Sequence, residues 1–305
     1  MSVAHAYERL RASLSGTIRR DEPLARHCSY RIGGPASLVI DCDTVADLAL
    51  ATSVLAEEDL AWTVLGKGSN VLVADDGYNG AVITLGREFK RHALEGEHLR
   101  TGAGVILAAI VNDAFSAGRT GLEFAVGIPG TVGGALAMNA GSREEWIGSV
   151  VESVTIFVPG QGLVGIRGPE IAWGYRNSGL SARGIIVEAS LRLDEGDEVY
   201  IRRTMEASLR RRKRSQPLGV PSAGSVFVNP DGDSAGRLIE AAGLKGSRVG
   251  GAAVSDIHAN FIVNTGGATA ADVLGLIGLI RDTVKDMHDI ELRPEIRFLG
   301  SFNGP

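Results

Sequence analysis

The sequence predicts an α+β protein built from several compact lobes. Residues 37–70 alternate a strand, an amphipathic helix and a strand, a β–α–β pattern that is typical of a small α/β lobe. Residues 81–193 are richer in strand-like runs than in helical segments, which indicates a second, antiparallel α+β lobe. After prolines at 217 and 221, alternating strand-like and helical segments continue to residue 300 and predict a third lobe.

The elements of the first lobe follow from hydrophobic periodicity. Ser37–Asp41 and Trp62–Leu65 are predicted as strands, and Thr44–Glu58 is predicted as the helix between them. Thr44 is the expected N-cap of this helix, because Asp47 follows three residues later and completes a capping box.

The elements of the other lobes are predicted in the same way. The predicted strands of the second lobe are Val82–Leu85, Leu99–Gly102, Val150–Val158, Leu163–Ile166 and Ile185–Leu193. Its predicted helices are Val105–Ala117 and a short one that opens near Gly130, and further helices are predicted at Glu198–Arg214, Ser234–Ala242 and Thr269–His288. The cations at 210–214 are typical of a solvated helix C-terminus, although they also suit an anionic ligand.

Composition limits the class of protein. The hydrophobic share of 44% and the charged share of 22% are ordinary for a folded domain and exclude disordered, fibrous and disulfide-rich chains. The net charge of −5 argues against nucleic-acid binding. Cys28 and Cys42 match no metal-ligand spacing and no His-x-x-x-His occurs, so we expect reduced thiols and no metal. Without a signal-peptide core or a long apolar stretch, we expect a cytoplasmic protein with no membrane partner.

Glycine is the compositional anomaly, since 41 of the 305 residues are glycine, about twice the usual share. The densest cluster extends from Gly127 to Gly141 and includes Pro129, which fixes a turn. Backbone amides freed of side chains can face an oxyanion, and a helix that starts near Thr131 would point its N-terminus at that anion. A tight turn with close helix packing is the alternative. The spacing does not match the Gly-x-Gly-x-x-Gly pattern of a Rossmann site.

A second glycine loop, from Gly66 to Asn70, directly follows a predicted strand. It does not have the spacing of a Walker loop, and an ordinary hairpin turn is the alternative to a phosphate site. Taken together, the two loops suggest one diphosphate, that is, a dinucleotide cofactor on a non-Rossmann scaffold.

Three polar residues are further candidates. Arg176 could hold a carboxylate through a bidentate contact, or it could form a surface salt bridge. Ser225 lies between small residues at the start of an apolar segment predicted as a strand, where its hydroxyl could face a ligand or serve a structural role. Glu295 lies at the start of the last predicted strand, where a salt bridge is the alternative to a role in a site.

Together these segments resemble one family, the UDP-N-acetylenolpyruvoylglucosamine reductases. The segments that carry the resemblance keep their order over nearly the whole chain and are Tyr30–Ala36, Leu65–Asn70, Gly127–Gly141, Tyr175–Ser178, Ala223–Phe227, Ala242–Gly246, His258–Asn264 and Pro294–Phe298. The compact stretch between Tyr175 and Ser225 is similar to the shorter type of the family, which lacks an inserted substrate loop. The resemblance implies a two-lobed FAD-binding domain of the vanillyl-alcohol-oxidase/PCMH type over residues 1–80 and 81–200, followed by an α+β UDP-sugar-binding domain over residues 201–305.

The resemblance also implies an activity in peptidoglycan precursor synthesis. It implies a monomeric flavoenzyme that reduces UDP-N-acetylglucosamine enolpyruvate to UDP-N-acetylmuramate, with non-covalently bound FAD and with NADPH as co-substrate. Hydride would pass from NADPH to the flavin N5 and then to C3 of the substrate. Ser225 would donate a proton to C2, while Arg176 and Glu295 would stabilise the enolate.

Further site residues follow from the same resemblance. The implied cofactor-binding residues are Tyr30, Gly66, Lys67, Gly68, Ser69, Asn70, Gly127, Pro129, Gly130, Gly133, Gly134, Ala135, Asn139 and Gly141. The implied substrate-binding residues are Tyr175, Arg214 and Asn229. Lys67 and Val228 depart from the residues that are common in the family at these positions. An FAD oxidase of the same fold and a non-catalytic flavin- or UDP-sugar-binding module are the alternatives.

Overall fold

The computed structural model describes residues 2–142 and 144–302. The chain divides into two compact units, each assembled from separate stretches of sequence. The first unit contains the chain up to residue 20 together with residues 37–67 and 80–210, and the second contains residues 21–36, 68–79 and the chain from residue 211. The division into ranges 1–80, 81–200 and 201–305 stays a prediction.

The secondary structure of the described residues contains all the predicted helices. The helices are α1 (Val3–Arg11), α2 (Val45–Glu57), α3 (Leu107–Ser116), α4 (Val132–Ala137), α5 (Leu180–Arg183), α6 (Glu198–Ser215), α7 (Ala235–Ala241) and α8 (Ala270–His288). The strands are β1 (Thr17–Pro23), β2 (Pro35–Cys42), β3 (Trp62–Val64), β4 (Val71–Val73), β5 (Tyr78–Leu85), β6 (His92–Glu95), β7 (His98–Gly102), β8 (Arg119–Thr120), β9 (Val151–Val158), β10 (Gly162–Arg167), β11 (Ile185–Arg192), β12 (Asp194–Glu195), β13 (Arg248–Val249), β14 (Ala252–Val254), β15 (Ile262–Asn264) and β16 (Arg297–Leu299). Within residues 2–142 and 144–302, no helix combines the length and the apolar composition that crossing a membrane requires.

The first unit contains a five-stranded sheet in the order β10–β9–β11–β7–β6. Every neighbouring pair in it is antiparallel, as predicted for the strands from Leu99 to Leu193. The predicted strand Val82–Leu85 is the exception, because it is part of β5 and belongs to a different sheet. The inward-facing residues of the five-stranded sheet, among them Leu99, Val154 and Leu191, form a buried core with α3 and α4. A four-stranded sheet has the order β1–β2–β5–β3, with β3 parallel to β5, and its apolar face packs with α1 and α2 in a second core.

Helix α2 begins as the sequence predicts. The Thr44 hydroxyl accepts a hydrogen bond from Asp47 N, and the Asp47 carboxylate accepts one from Thr44 N. The same buried carboxylate also accepts bonds from Ser15 N and Asp43 N, both at 2.8 Å. Because a helix start leaves its first N–H groups unpaired, this carboxylate fixes both the helix and the chain around it.

The second unit joins segments that are distant in sequence. Strand β4 pairs in parallel with β16, and β13, β14 and β15 form a small antiparallel sheet against which α8 packs. The Asp75 carboxylate accepts hydrogen bonds from Ala270 N at 2.7 Å and from Ala271 N at 3.0 Å. The segment of residues 68–79 is therefore attached both to the last strand and to the N-terminus of α8.

Two strand predictions in this unit are wrong. The segment that starts at Ser225 forms no regular strand, and Phe227 makes only an isolated bridge to Pro294 among the described residues. The last strand begins at Arg297, so Glu295 lies two residues before it rather than at its start.

Candidate active site

The two glycine segments meet at Gly66 and Thr131 in the first unit. A Cβ atom at Gly66 would lie 2.6 Å from Thr131 Oγ1, which is closer than such atoms approach, so a larger residue at 66 would have to displace the Thr131 side chain. Gly66, Gly127 and Pro129 are exposed, as is the Lys67 side chain. The two loops therefore present backbone at the surface close to one point of the unit.

Helix α4 begins at Val132 with Thr131 as its N-cap. Its N–H groups at positions 132, 133 and 134 donate to Val105 O at 2.9 Å, to Ala103 O at 2.8 Å and to Thr131 Oγ1 at 3.3 Å. Because protein acceptors occupy these three N–H groups, they do not support the expected contact of this helix start with an anion, and that contact stays a prediction. A Cβ at Gly133 would also lie 2.9 Å from the Ala103 Cβ, so this glycine serves close packing.

The second glycine loop continues into the second unit with a buried glycine. Gly68 has a φ of +58°, and a Cβ there would lie 2.5 Å from His27 O and 2.6 Å from Cys28 Cα. The Cys28 thiol donates to Ile32 O at 3.2 Å, and burial raises the pKa of this thiol. Gly68 and Cys28 therefore pack against each other, and Ser69 and Asn70 follow with half-buried side chains.

Tyr30 lies fully inside the second unit. Its hydroxyl donates to Ile262 O at 2.9 Å, and Asn264 Nδ2 donates to Tyr30 O at 3.1 Å. Burial raises the pKa of the Tyr30 phenol far above its usual range. The residue has no exposed surface, so its burial gives no support to a contact with a cofactor. That contact stays a prediction.

Arg176 lies at the tip of a tight turn in the first unit. Gly174 N donates to Asn177 O at 2.8 Å, and Asn177 N donates to Gly174 O at 3.3 Å. Arg176 has a φ of +56°, a strained conformation for a residue with a side chain, and such strain is concentrated at functional sites. Its Nη1 donates to Gly141 O at 2.6 Å, and its guanidinium lies 5.2 Å from the centre of the Tyr175 ring.

Asn139 connects this turn to the end of the glycine cluster. Its buried side chain donates from Nδ2 to Gly174 O at 3.0 Å and accepts at Oδ1 from Gly148 N at 3.2 Å. A Cβ at Gly148 would lie 2.4 Å from the Trp173 ring, and Trp173 Nε1 donates to Gly168 O at 3.0 Å. Predicted cofactor residues and predicted catalytic Arg176 therefore lie in one partly buried group of hydrogen bonds.

Ser225, Glu295 and Asn70 lie on adjoining backbone segments of the second unit. Glu295 N donates to Val226 O at 2.7 Å, which places Glu295 next to the segment of Ser225. Asn70 Nδ2 donates to Glu295 O at 3.3 Å, and Arg297 N donates to Asn70 O at 3.0 Å. Both Ser225 and Glu295 are half-buried. This unit thus brings together two predicted catalytic residues and one predicted cofactor residue.

The predicted substrate residues have different surroundings. Asn229 Oδ1 accepts a hydrogen bond from Ala235 N at 3.0 Å, so its side chain stabilises the start of α7. Arg214 is exposed at the C-terminal end of α6, and Tyr175 is exposed at the tip of the Arg176 turn. The contacts of these residues with a substrate stay predictions.

Sequence reasoning assigned no role to Asn260, although its segment carries part of the resemblance. Asn260 is buried between Ala259 and Phe261, and its amide bonds the backbone of Phe227. The sequence feature that could have indicated its role is the position of an amide within an apolar stretch. Such an amide is expected to be buried, and a buried amide needs hydrogen-bond partners.

Comparisons with known proteins identify the family. Residues 216–299 match the model of the C-terminal domain of UDP-N-acetylenolpyruvoylglucosamine reductase, and residues 36–162 match that of an FAD binding domain. The protein of Heliobacterium modesticaldum named UDP-N-acetylenolpyruvoylglucosamine reductase is 45% identical over 291 residues, which are 95% of this chain and 93% of that protein. The chain belongs to the UDP-N-acetylenolpyruvoylglucosamine reductase family.

Solved structures agree with this family. The crystal structure of UDP-N-acetylenolpyruvylglucosamine reductase from Thermus caldophilus matches with a TM-score of 0.82 and 38% identity, and covers 94% of this chain and 100% of its own. A structure of alkyldihydroxyacetonephosphate synthase shares the fold alone, with a TM-score of 0.50 and 15% identity over 64% of this chain and 41% of its own. The predicted fold, an FAD-binding domain plus a C-terminal α+β domain, is confirmed. The chain is an FAD-containing oxidoreductase, as predicted.

Proposed function

We propose that this chain reduces UDP-N-acetylglucosamine enolpyruvate to UDP-N-acetylmuramate with NADPH, in the cytoplasm, during peptidoglycan precursor synthesis. Family membership supports the proposal, and one structural observation carries it furthest. The segment of Ser225 is bonded to Glu295 through Val226 O and Glu295 N at 2.7 Å. Adjoining backbone segments that carry a proton donor and a second acidic residue suit reduction of a polarised double bond, whereas an oxidase has no need for this pair.

The glycine segments of the first unit fit a bound FAD. Gly66 lies against Thr131 with no room for a Cβ, and the exposed backbone of Gly127 and Gly134 is accessible without side chains in the way. The residues that would hold FAD are those of the two loops, 66–70 and 127–141. When bound, FAD supplies the hydride transfer chemistry, while the protein supplies position and electrostatics.

Three side chains would act on the substrate. Addition of hydride to C3 of the enolpyruvyl double bond leaves negative charge on C2 and on the neighbouring carboxylate until C2 is protonated. Arg176 would bind this carboxylate through charge-assisted hydrogen bonds, and Glu295 would donate to it in its protonated form. Ser225 would protonate C2. Donors of this kind typically contribute roughly 100- to 1,000-fold each to the rate.

The substrate's nucleotide would be held by exposed groups. The Arg214 guanidinium would meet the diphosphate, and Tyr175 would contact the substrate beside Arg176. Asn229 would contribute through the part of its amide that is not engaged with Ala235 N. The basic end of α6 is thus assigned to anion recognition.

Separate measurement of the two half-reactions tests the proposal. The purified protein is expected to be yellow, to bleach with NADPH and to regain its colour with UDP-N-acetylglucosamine enolpyruvate. Ser225→Ala should leave bleaching unchanged and slow the recovery of colour by roughly 100- to 1,000-fold, because only the second step needs its proton. Ser222→Ala, a change three residues earlier in the same segment, is the matched control and should behave as the wild type.

The same experiment separates the alternatives. Normal recovery of colour in Ser225→Ala would remove Ser225 from the proton-donor role. A wild-type protein that regains its colour with oxygen but not with the enolpyruvyl compound would be an oxidase. A protein whose flavin is never bleached by NADPH would be a binding module.

A further inference from the structure

The Asn260 side chain holds the backbone next to Ser225. Asn260 is 3% exposed. Its Oδ1 accepts from Phe227 N at 2.9 Å, and its Nδ2 donates to Phe227 O at 2.8 Å. Its own carbonyl oxygen accepts from Val226 N at 2.8 Å. One asparagine therefore bonds three polar groups of the backbone that follows Ser225, namely the N–H of Val226 and both the N–H and the C=O of Phe227.

The opposite side of the same backbone is bonded to the residues around Glu295. Glu295 N donates to Val226 O at 2.7 Å, and Val228 N donates to Arg293 O at 2.9 Å, on either side of the bridge between Phe227 and Pro294. In an antiparallel pair, every second residue directs its N–H and C=O away from the partner strand. Phe227 is such a residue, and the Asn260 amide satisfies both groups as a third strand would.

The backbone of Asn260 is itself fixed. Asn260 N donates to His258 Nδ1 at 3.1 Å, and the His258 ring packs against Phe261 with 5.0 Å between the ring centres. Burial lowers the pKa of His258, which favours the neutral ring that can accept this bond. These contacts hold the backbone of Asn260, from which the amide extends to Phe227.

We infer that Asn260 is a positioning residue for the reduction step: its amide replaces a strand beside Phe227 and so sets Ser225 relative to Glu295. The inference rests on the proposed function, since it concerns the two residues that would act on the substrate. Loss of the amide leaves the N–H and C=O groups of buried Phe227 unpaired, so the segment that follows Ser225 is no longer held on the side of Asn260. A displacement of about 1 Å of a reacting group can cost roughly 100-fold in rate.

The test compares Asn260→Leu with the wild type, because leucine has a similar size but forms neither bond. Stopped-flow absorbance of the FAD-loaded protein should show an unchanged rate of bleaching by NADPH and a roughly 100-fold slower recovery with UDP-N-acetylglucosamine enolpyruvate. Hydrogen exchange followed by mass spectrometry should show roughly ten-fold faster exchange in residues 226–228. Should the leucine variant fail to fold, Asn260→Ser replaces it. Serine is smaller and has one hydroxyl in place of the amide, and we again expect slower recovery of colour and faster exchange in residues 226–228.

Thr269→Ala is the matched control for stability. It removes the N-cap hydroxyl of α8 in the same unit, where Thr269 Oγ1 accepts from Asp272 N at 3.0 Å, and it makes no bond to residues 225–228. This control should unfold more readily but leave both half-reactions and the local exchange unchanged. If Asn260→Leu slows both half-reactions equally, or leaves exchange at 226–228 unchanged, the inference is overturned.

The experiment also separates this inference from the proposed function. If the reduced wild-type protein does not react with the enolpyruvyl compound, the proposed function fails, and the role of Asn260 in that reaction fails with it. If the wild type reacts but Asn260→Leu reacts equally fast, only the positioning role of Asn260 fails.

Discussion

Replacement of Gly148 by alanine should displace Trp173 and, with it, the turn that carries Arg176. A Cβ at Gly148 would lie 2.4, 2.7 and 2.8 Å from three atoms of the Trp173 ring, whereas ordinary contact begins at 3.4 Å. The ring must therefore move by about 1 Å, the difference between 3.4 and 2.4 Å. Overpacking of this kind costs about 1–3 kcal/mol, and loss of the bond from Trp173 to Gly168 adds about 1 kcal/mol.

The free energy of unfolding of Gly148→Ala should thus fall by about 2–4 kcal/mol, measured by urea unfolding followed by circular dichroism. Because Asn139 bonds both Gly148 and Gly174, the Arg176 turn should move too, and the second half-reaction should slow by roughly 100-fold.

Gly165→Ala is the matched control for this substitution. No atom lies within 4 Å of a Cβ at Gly165, so alanine there should be neutral or stabilising by up to about 1 kcal/mol. A Gly148→Ala protein as stable and as active as this control would refute the reasoning.

Two further substitutions test other parts of the fold. Asp75→Ala removes the acceptor of Ala270 N and Ala271 N and should lower the free energy of unfolding by about 1–2 kcal/mol in urea, while Asp76→Ala should change it little. Burial first, and then nearby carboxylates, raise the pKa of Cys42 from 9.0 to about 12. Because the folded value is the higher one, this stabilisation is complete below pH 9 and is lost as the pH rises towards 12, and Cys42→Ala should remove that part of the pH dependence of unfolding. An equally steep decline in Cys42→Ala would contradict this assignment.

Local signals were sufficient to predict most helices. Thr44 and Thr269 each accept a hydrogen bond from the residue three positions later, and the helices after them begin within one residue of the prediction. Capping and periodicity depend on neighbours in sequence, so one sequence contains the information. The two glycine segments were also predicted to lie close together, and in the structure Gly66 of one segment lies against Thr131 of the other.

The pairing of strands that are distant in sequence could not be predicted from the sequence. Strand β4 has three residues, and its partner β16 lies more than 200 positions later, so no local pattern indicates the pair. The segment after Ser225 is apolar like a strand, yet the N–H and C=O groups of Phe227 are satisfied by the Asn260 amide rather than by a third strand. The positive φ of Arg176 likewise depends on bonds to other parts of its unit, not on its neighbours alone.

The second unit is built from segments that are distant in sequence, and this affects how it folds during synthesis. Tyr30 bonds Ile262, 232 positions later, and β4 has no partner until β16 is made. At about 5–20 residues per second, the ribosome needs roughly 12–46 seconds to reach Ile262 after Tyr30. Such high contact order slows folding, and residues 21–36 and 68–79 remain exposed to other chains during that delay. Residues 216–299 expressed alone would leave β16 without β4, and such an unpaired strand is prone to pair with other chains.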